Sequence, residues 1–178
     1  MERDNMIDEI KEKDLIQLQK IQQRVFNSTA TYDKIQTFYQ ESKENKDIHV
    51  LGYYIKNNLV GTVTLNILTL PSGKEATIWD LAINEEYRRL GIATKLMNKA
   101  EAIAKKENIK RIWLFSRFHR KGAHELYRKL GYDENRDKAF VKNIEERKNW
   151  KVEKLEVKLE KENKDMSLDV SGINVAKD

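Results

Sequence analysis

Cysteine is absent from the 178-residue chain. That excludes disulfides, thiolate metal sites and a cysteine nucleophile. Proline occurs once, at Pro71, and glycine only seven times, so no Gly- or Pro-rich linker divides the chain. Long apolar runs are also missing. The longest mostly apolar stretch, LVGTVTLNILTL, is too short and too polar to span a bilayer. The start, MERDNMIDEI, is acidic and lacks the apolar centre of a secretory signal. A cytoplasmic protein with no membrane partner is the expectation, and the wealth of Lys, Asn and Ile suggests an AT-rich bacterial or phage genome.

Charge is abundant: charged residues make up 35% of the chain, and the net charge is +5. Between Asn84 and Gly131 there are 13 Lys/Arg against 5 Asp/Glu, an excess of 8, so the rest of the chain sums to −3. The positive charge is gathered around Gly91, in YRRLGIATKLM. Nucleic acid is a poor fit to this pattern, because no basic strand with interleaved aromatics accompanies it. Three separated histidines without cysteine argue against a metal site.

Apolar spacing predicts helices over KEKDLIQLQKIQQRVF, with Asp14 as N-cap, and over TYDKIQTFYQESKEN, with Ile35, Phe38 and Tyr39 on one face. HVLGYYI and LVGTVTLNILTL flank KNN and read as a hairpin. LPSGKE is a turn and ATIWDLAI the next strand. A helix follows in IATKLMNKAEAIAKKEN, then a strand in IKRIWLFS. KGAHELYRKLGY reads as a helix stopped by Gly131, and KAFVKNI as a strand. Beyond Ile144, WKVEKLEVKLEKEN suits a strand better than a helix or a short coiled-coil seam. The expected domain is 1–160, with 161–178 a tail available for an extra strand or a dimer contact. Hairpins combined with one βαβ crossover predict an α/β (α+β) fold with a mixed, mostly antiparallel sheet.

Strand, short basic glycine turn, helix: this order makes an anion site. The first amides of a helix lack partners within it, and the helix dipole favours negative charge there. Gly91 allows close approach to the backbone. The turn has neither the G-K-[ST] of a P-loop nor the G-x-G-x-x-G of a dinucleotide site.

IWDLAINEEYRRLGIATKLM resembles the signature of the GCN5-related N-acetyltransferases (GNAT). Arg88, Gly91 and Ala93 match their [Q/R]-x-x-G-x-[G/A], while Asp80, Leu81 and Ile83 match the preceding strand. AHELYRKLGY supplies a second landmark through Ala123, Leu126, Tyr127, Gly131 and Tyr132. The resemblance covers roughly residues 5–145.

It implies a GNAT fold with a splayed parallel strand pair. It also implies transfer of the acetyl group of acetyl-CoA to a primary amine of a small molecule, peptide or protein. Arg88, Arg89, Leu90, Gly91, Ile92, Ala93 and Thr94 would hold the pyrophosphate. Leu81, Ala82 and Ile83 would pair with the pantetheine arm, and a backbone N–H near Leu81–Ala82 would face the reacting carbonyl oxygen. Tyr127 matches the family's general acid, against the alternative of an aromatic packed under the sheet. Asp80 would take the amine's proton or hold a cationic acceptor, against the alternative of a carboxylate tying down the loop. Trp79 departs from the acidic residue many relatives carry there, and Arg120 replaces a common asparagine. Arg120 and His124 would touch CoA or the acceptor. The competing functional reading is a non-catalytic acyl-CoA-binding sensor or scaffold of the same fold. A homodimer is compatible with either.

Overall fold

The computed structural model describes residues 4–142. Strand β1 (Met6–Glu9) opens the chain. A 3₁₀ turn (Glu12–Asp14) then leads into helices α1 (Leu15–Phe26) and α2 (Tyr32–Glu44). Strands β2 (Ile48–Ile55), β3 (Asn58–Leu70) and β4 (Gly73–Ile83) follow. Helix α3 (Ile92–Lys106), strand β5 (Ile112–Leu114) and helix α4 (Lys121–Lys129) complete the described elements. The five strands form one sheet in sequence order. All neighbours are antiparallel except β4 and β5, which run parallel. The parallel step requires the crossover that α3 supplies. The mixed, mostly antiparallel sheet predicted from the sequence is the one observed.

Two cores lie on the two faces of this sheet. Leu51, Val63, Leu65 and Ile78 pack with Leu96, Met97 and Ala100 of α3. Val50, Tyr54, Leu59 and Ala82 pack with Leu15, Leu18 and Ile21 of α1 and Ile35 and Tyr39 of α2. The alternation of side chains along a strand assigns each residue to one face, and the helices bury their apolar stripes against those faces.

The structure corrects the sequence reading at several places. β1 was not anticipated; its four residues pair with Leu51–Tyr54 at the edge of the sheet. The hairpin turn is tighter than KNN, because Lys56 and Asn57 alone carry positive φ, +47° and +66°. That is the two-residue geometry matching strand twist. Asp14 occupies the N-cap position of α1 without capping it. Its buried carboxylate instead accepts from the Lys11 N–H at 3.0 Å and the Tyr54 hydroxyl at 2.8 Å, locking the 3₁₀ turn onto β2. β5 covers only three residues of the longer stretch expected. The strand expected at KAFVKNI is not seen over 138–142; its last two residues, and the tail with its expected strand, lie outside the described residues.

Chain contacts divide the protein at Glu134. The expected boundary at residue 160 lies outside the described residues. All elements named above belong to the first unit. No helix among the described residues is long and apolar enough to cross a membrane.

Candidate active site

The site begins with a defect in β4. Thr62 pairs with Ala82 and Thr64 with Trp79, so Asp80 and Leu81 together oppose the single residue Val63. This is a β-bulge. Asp80 takes φ +52°, a left-handed conformation that Asp tolerates better than most residues. The extra residue reverses the facing of the strand. Ile78 and Ala82 are four apart and would share a face in a regular strand. Instead Ile78 belongs to the α3 core and Ala82 to the α1–α2 core, while Leu81 and Ile83 pack with the α3 core.

The bulge coincides with the point where β4 and β5 part. Their pairing covers Ala76–Ile78 against Ile112–Leu114. β4 then continues to Ile83 while β5 has ended. The segment Trp79–Ile83 therefore runs past the end of its parallel neighbour. Backbone groups on that edge call for a partner, because leaving them buried and unpaired is costly.

Beyond β4 a 3₁₀ turn (Glu85–Tyr87) carries the chain to the basic loop. Arg89 and Gly91 both adopt positive φ, +63° and +74°, and Gly91 is the N-cap of α3. The first helical bond runs from the Lys95 N–H to the Gly91 carbonyl, 3.1 Å, so the amides of Ile92, Ala93 and Thr94 come before it at the open end of the helix. A Cβ added to Gly91 would meet no protein atom within 4 Å. Glycine is thus required there by φ and not by crowding from the protein, and a side chain would project into open space at the mouth of the helix. Arg89 and Leu90 are exposed beside it. Arg88 is less free than its charge suggests. Its Nε donates to the Ile83 carbonyl at 3.3 Å and its Nη1 lies 3.4 Å from Glu85 Oε1. It braces the loop against the end of β4, with the exposed Glu85 carboxylate as its counter-ion.

α4 brings the second half of the site. It ends in a Schellman motif: the Gly131 N–H bonds the Arg128 carbonyl and the Tyr132 N–H bonds the Tyr127 carbonyl, each at 3.0 Å, with Gly131 at φ +86°. Tyr132 meets Tyr127 edge-on, with ring centroids 6.1 Å apart. Its hydroxyl donates to Glu101 Oε1 of α3 at 3.1 Å. The glycine stop, expected from the sequence, therefore holds the helical turn that carries Tyr127.

Arg120, at the N-cap of α4, joins the two halves. Its guanidinium lies 4.9 Å from the ring centroid of Phe26, the last residue of α1. It also acts electrostatically on both Asp80 and Tyr127. Asp80 keeps an open surface, yet the protein crowding its carboxyl raises its pKa, and Arg120 opposes the rise. Burial likewise raises the Tyr127 hydroxyl and Arg120 lowers it. Asp80 and Tyr127, predicted from motifs more than forty residues apart, thus share one cation. His124 has a different neighbour, Ser116 just beyond β5, whose hydroxyl is 3.2 Å from its Nε2.

Sequence reasoning missed the wall beside Asp80. A pocket of about 260 Å³ is lined by Phe38, Ile48, Thr64, Asn66, Trp79 and Asp80. Phe38 shares a face of α2 with Ile35 and Tyr39, as the spacing predicts, and packs against the same core, but it stays half-buried and so also lines the pocket. Trp79 is 46% exposed; a tryptophan beside an aspartate on a strand was the available signal.

Comparison with known proteins agrees with this geometry. The acetyltransferase (GNAT) family model matches residues 13–132. The chain is 31% identical over 118 residues to the probable N-acetyltransferase san of Drosophila melanogaster, covering 66% of this chain and 61% of that protein. It is 29% identical over 131 residues to N-alpha-acetyltransferase 50 of Danio rerio, covering 72% and 75%. The match to the fly protein thus spans less than two thirds of that protein's length. Among solved structures, the aminoglycoside 6'-N-acetyltransferase of Acinetobacter haemolyticus superposes with a TM-score of 0.65 at 15% identity, covering 78% of this chain and 97% of that one. The chain belongs to the GNAT acetyltransferase family.

Proposed function

We propose that the protein is an acetyl-CoA-dependent N-acetyltransferase acting on a primary amine by direct attack within a ternary complex. The observation that carries this reading is the conjunction of a β4 edge left without its parallel neighbour after Ile78 and an open helix end at Gly91–Thr94 on the same chain segment. The first suits an extended arm bearing amide groups, and the second suits a diphosphate. Gly91, Ile92, Ala93 and Thr94 would bind the diphosphate through backbone amides, with Arg89 adding charge and Arg88 holding the loop. Leu81, Ala82 and Ile83 would offer backbone groups to the arm. Bound acetyl-CoA supplies an activated acetyl group as a thioester.

The chain's own residues supply the rest. A backbone N–H at Leu81–Ala82 would stabilise negative charge growing on the carbonyl oxygen. Tyr127 would donate its O–H to the departing sulfur. A free tyrosine is a weaker acid than a thiol by about 1.5 pKa units, roughly 2 kcal/mol, and burial weakens Tyr127 further. Strong hydrogen-bond donation is therefore the better description of its role than complete proton transfer, and Arg120 assists by favouring charge on the tyrosine oxygen. Asp80 would receive the acceptor's ammonium end or its proton.

Two measurements test the proposal. Isothermal titration should detect acetyl-CoA binding, and its absence would overturn the reading. Thiol release with a panel of amines should show turnover that falls about 100-fold or more in Tyr127→Phe, as for loss of one hydrogen-bond donor to charge developing in the transition state. Acetyl-CoA affinity should be kept in that variant. Unchanged turnover in Tyr127→Phe would remove the tyrosine from the mechanism. Binding of acetyl-CoA with no thiol release for any amine would favour the non-catalytic module, which the tryptophan in place of an acidic residue at position 79 keeps in view.

A further inference from the structure

We infer that the pocket beside Asp80 selects a primary monoamine whose amino group sits close to a compact apolar or aromatic body, and that it discriminates against polycations. The inference rests on the proposed acetyl transfer and names its acceptor class.

Four observations support it. The first is the lining: Phe38, Ile48 and Trp79 give it an apolar wall, Thr64 and Asn66 are neutral, and Asp80 is its one carboxylate. A polycation loses hydration at every charged centre it buries, and each centre needs its own anion to offset that loss. This wall offers one. The second is Arg120, which stands near enough to Asp80 to act on its carboxyl. Arg120 is not part of the lining, but its positive charge weakens the negative field around the one carboxylate there, which makes the site less favourable to each additional cationic centre. The third is size. At about 260 Å³ the pocket lies just under the roughly 300–1,000 Å³ typical of sites for drug-sized ligands, so a multi-ring aminosugar would not be enclosed. The fourth is the state of Trp79. Its indole N–H is already bound to Thr77 Oγ1 at 2.8 Å, and its ring is braced by Phe115 at 5.7 Å between centroids. What remains for a ligand is ring surface, suited to an apolar group or to a single ammonium.

Such a group can belong to a free arylalkylamine or to a peptide N-terminus with an apolar first side chain. The test separates these sources. The protein, saturated with CoA so that no transfer can occur, is titrated with phenethylamine, with the dipeptide amide Phe-Gly-NH2, with spermidine and with tobramycin. The account predicts that at least one of the first two binds about tenfold or more tightly than either polycation. Whichever binds more tightly identifies the source. It also predicts that Trp79→Ala and Phe38→Leu each weaken the preferred amine several-fold while the affinity for CoA, measured separately, stays the same. Equal or tighter binding of spermidine or tobramycin would overturn the inference, as would indifference of the preferred amine to both substitutions. Failure of CoA to bind is a different outcome: it sinks the acetyltransferase reading. In that case the same amine titrations on the CoA-free protein still decide the selectivity of the pocket.

Discussion

Asp80 carries three burdens at once. It is the bulged residue, it holds a positive φ, and its carboxyl is crowded by protein. Because its folded pKa lies above the ordinary value of 3.8, the ionised form is favoured less in the folded chain than in the unfolded one. The resulting cost to stability is absent below pH 3.8 and grows as pH rises through the folded value. Asp80→Asn removes the charge, and asparagine accepts the left-handed backbone. The variant is therefore expected to melt at the same temperature as the parent below pH 3.8 and somewhat higher at pH 7; thermal denaturation at both pH values measures this. A variant less stable at pH 7 would mean that the ionised carboxylate holds the loop together, the structural alternative for this residue. Asp80 and Tyr127 could be named from the sequence because each sits inside a motif with a fixed spacing. Arg120 was expected near CoA or the acceptor. Its closeness to Asp80 and Tyr127, with Phe26 against its guanidinium, depends on three elements meeting, and no local pattern records that. The misreading of Asp14 has the same origin: its partner, Tyr54, lies forty residues away.

At the scale of elements, two glycines perform the same backbone service for different ends. Gly91 starts α3 at φ +74° and Gly131 ends α4 at φ +86°, and a Cβ on either would meet no protein atom within 4 Å. Alanine at either position should cost about 1–2 kcal/mol through the left-handed conformation alone. The consequences should then diverge. Gly91→Ala places a methyl in the mouth of α3 and should weaken acetyl-CoA binding about tenfold or more, by 1.4 kcal/mol or above. Gly131→Ala should lose similar stability with much less effect on that affinity. Paired denaturation and titration experiments check both; equal loss of affinity in the two variants would show that the Gly91 effect is only unfolding. The helices, the central hairpin and the basic loop were legible in the sequence, because period and turn chemistry are local. β1 was not, since a four-residue edge strand in an acidic stretch has too little alternation to declare itself. Nor was the bulge: TIWDLAI reads as one uninterrupted strand, and the extra residue shows in the register against β3 and in the assignment of Ile78 and Ala82 to opposite cores.

For the first unit as a whole, fold and site are one arrangement. The same bulge that moves Ala82 into the α1–α2 core lies where β4 leaves β5, and it sets Asp80 between the expected cofactor cleft and the pocket under Phe38. The crossover helix that makes β4 and β5 parallel also begins at the far end of the unpaired stretch of β4, where Ile92 and Ile83 meet over Gly61. The excess of positive charge over 84–131 fits this region, although Arg88 serves as a brace and not as a free charge. The central claim is that Leu81–Ile83 and Gly91–Thr94 form one continuous seat for acetyl-CoA. Amide hydrogen–deuterium exchange, with and without CoA, tests it most directly. The account predicts slower exchange on CoA addition at the amides of both segments, with the core amides of β2 and β3 changed little. Unaltered exchange at both segments under saturating CoA, or protection confined to some other part of the chain, would contradict it.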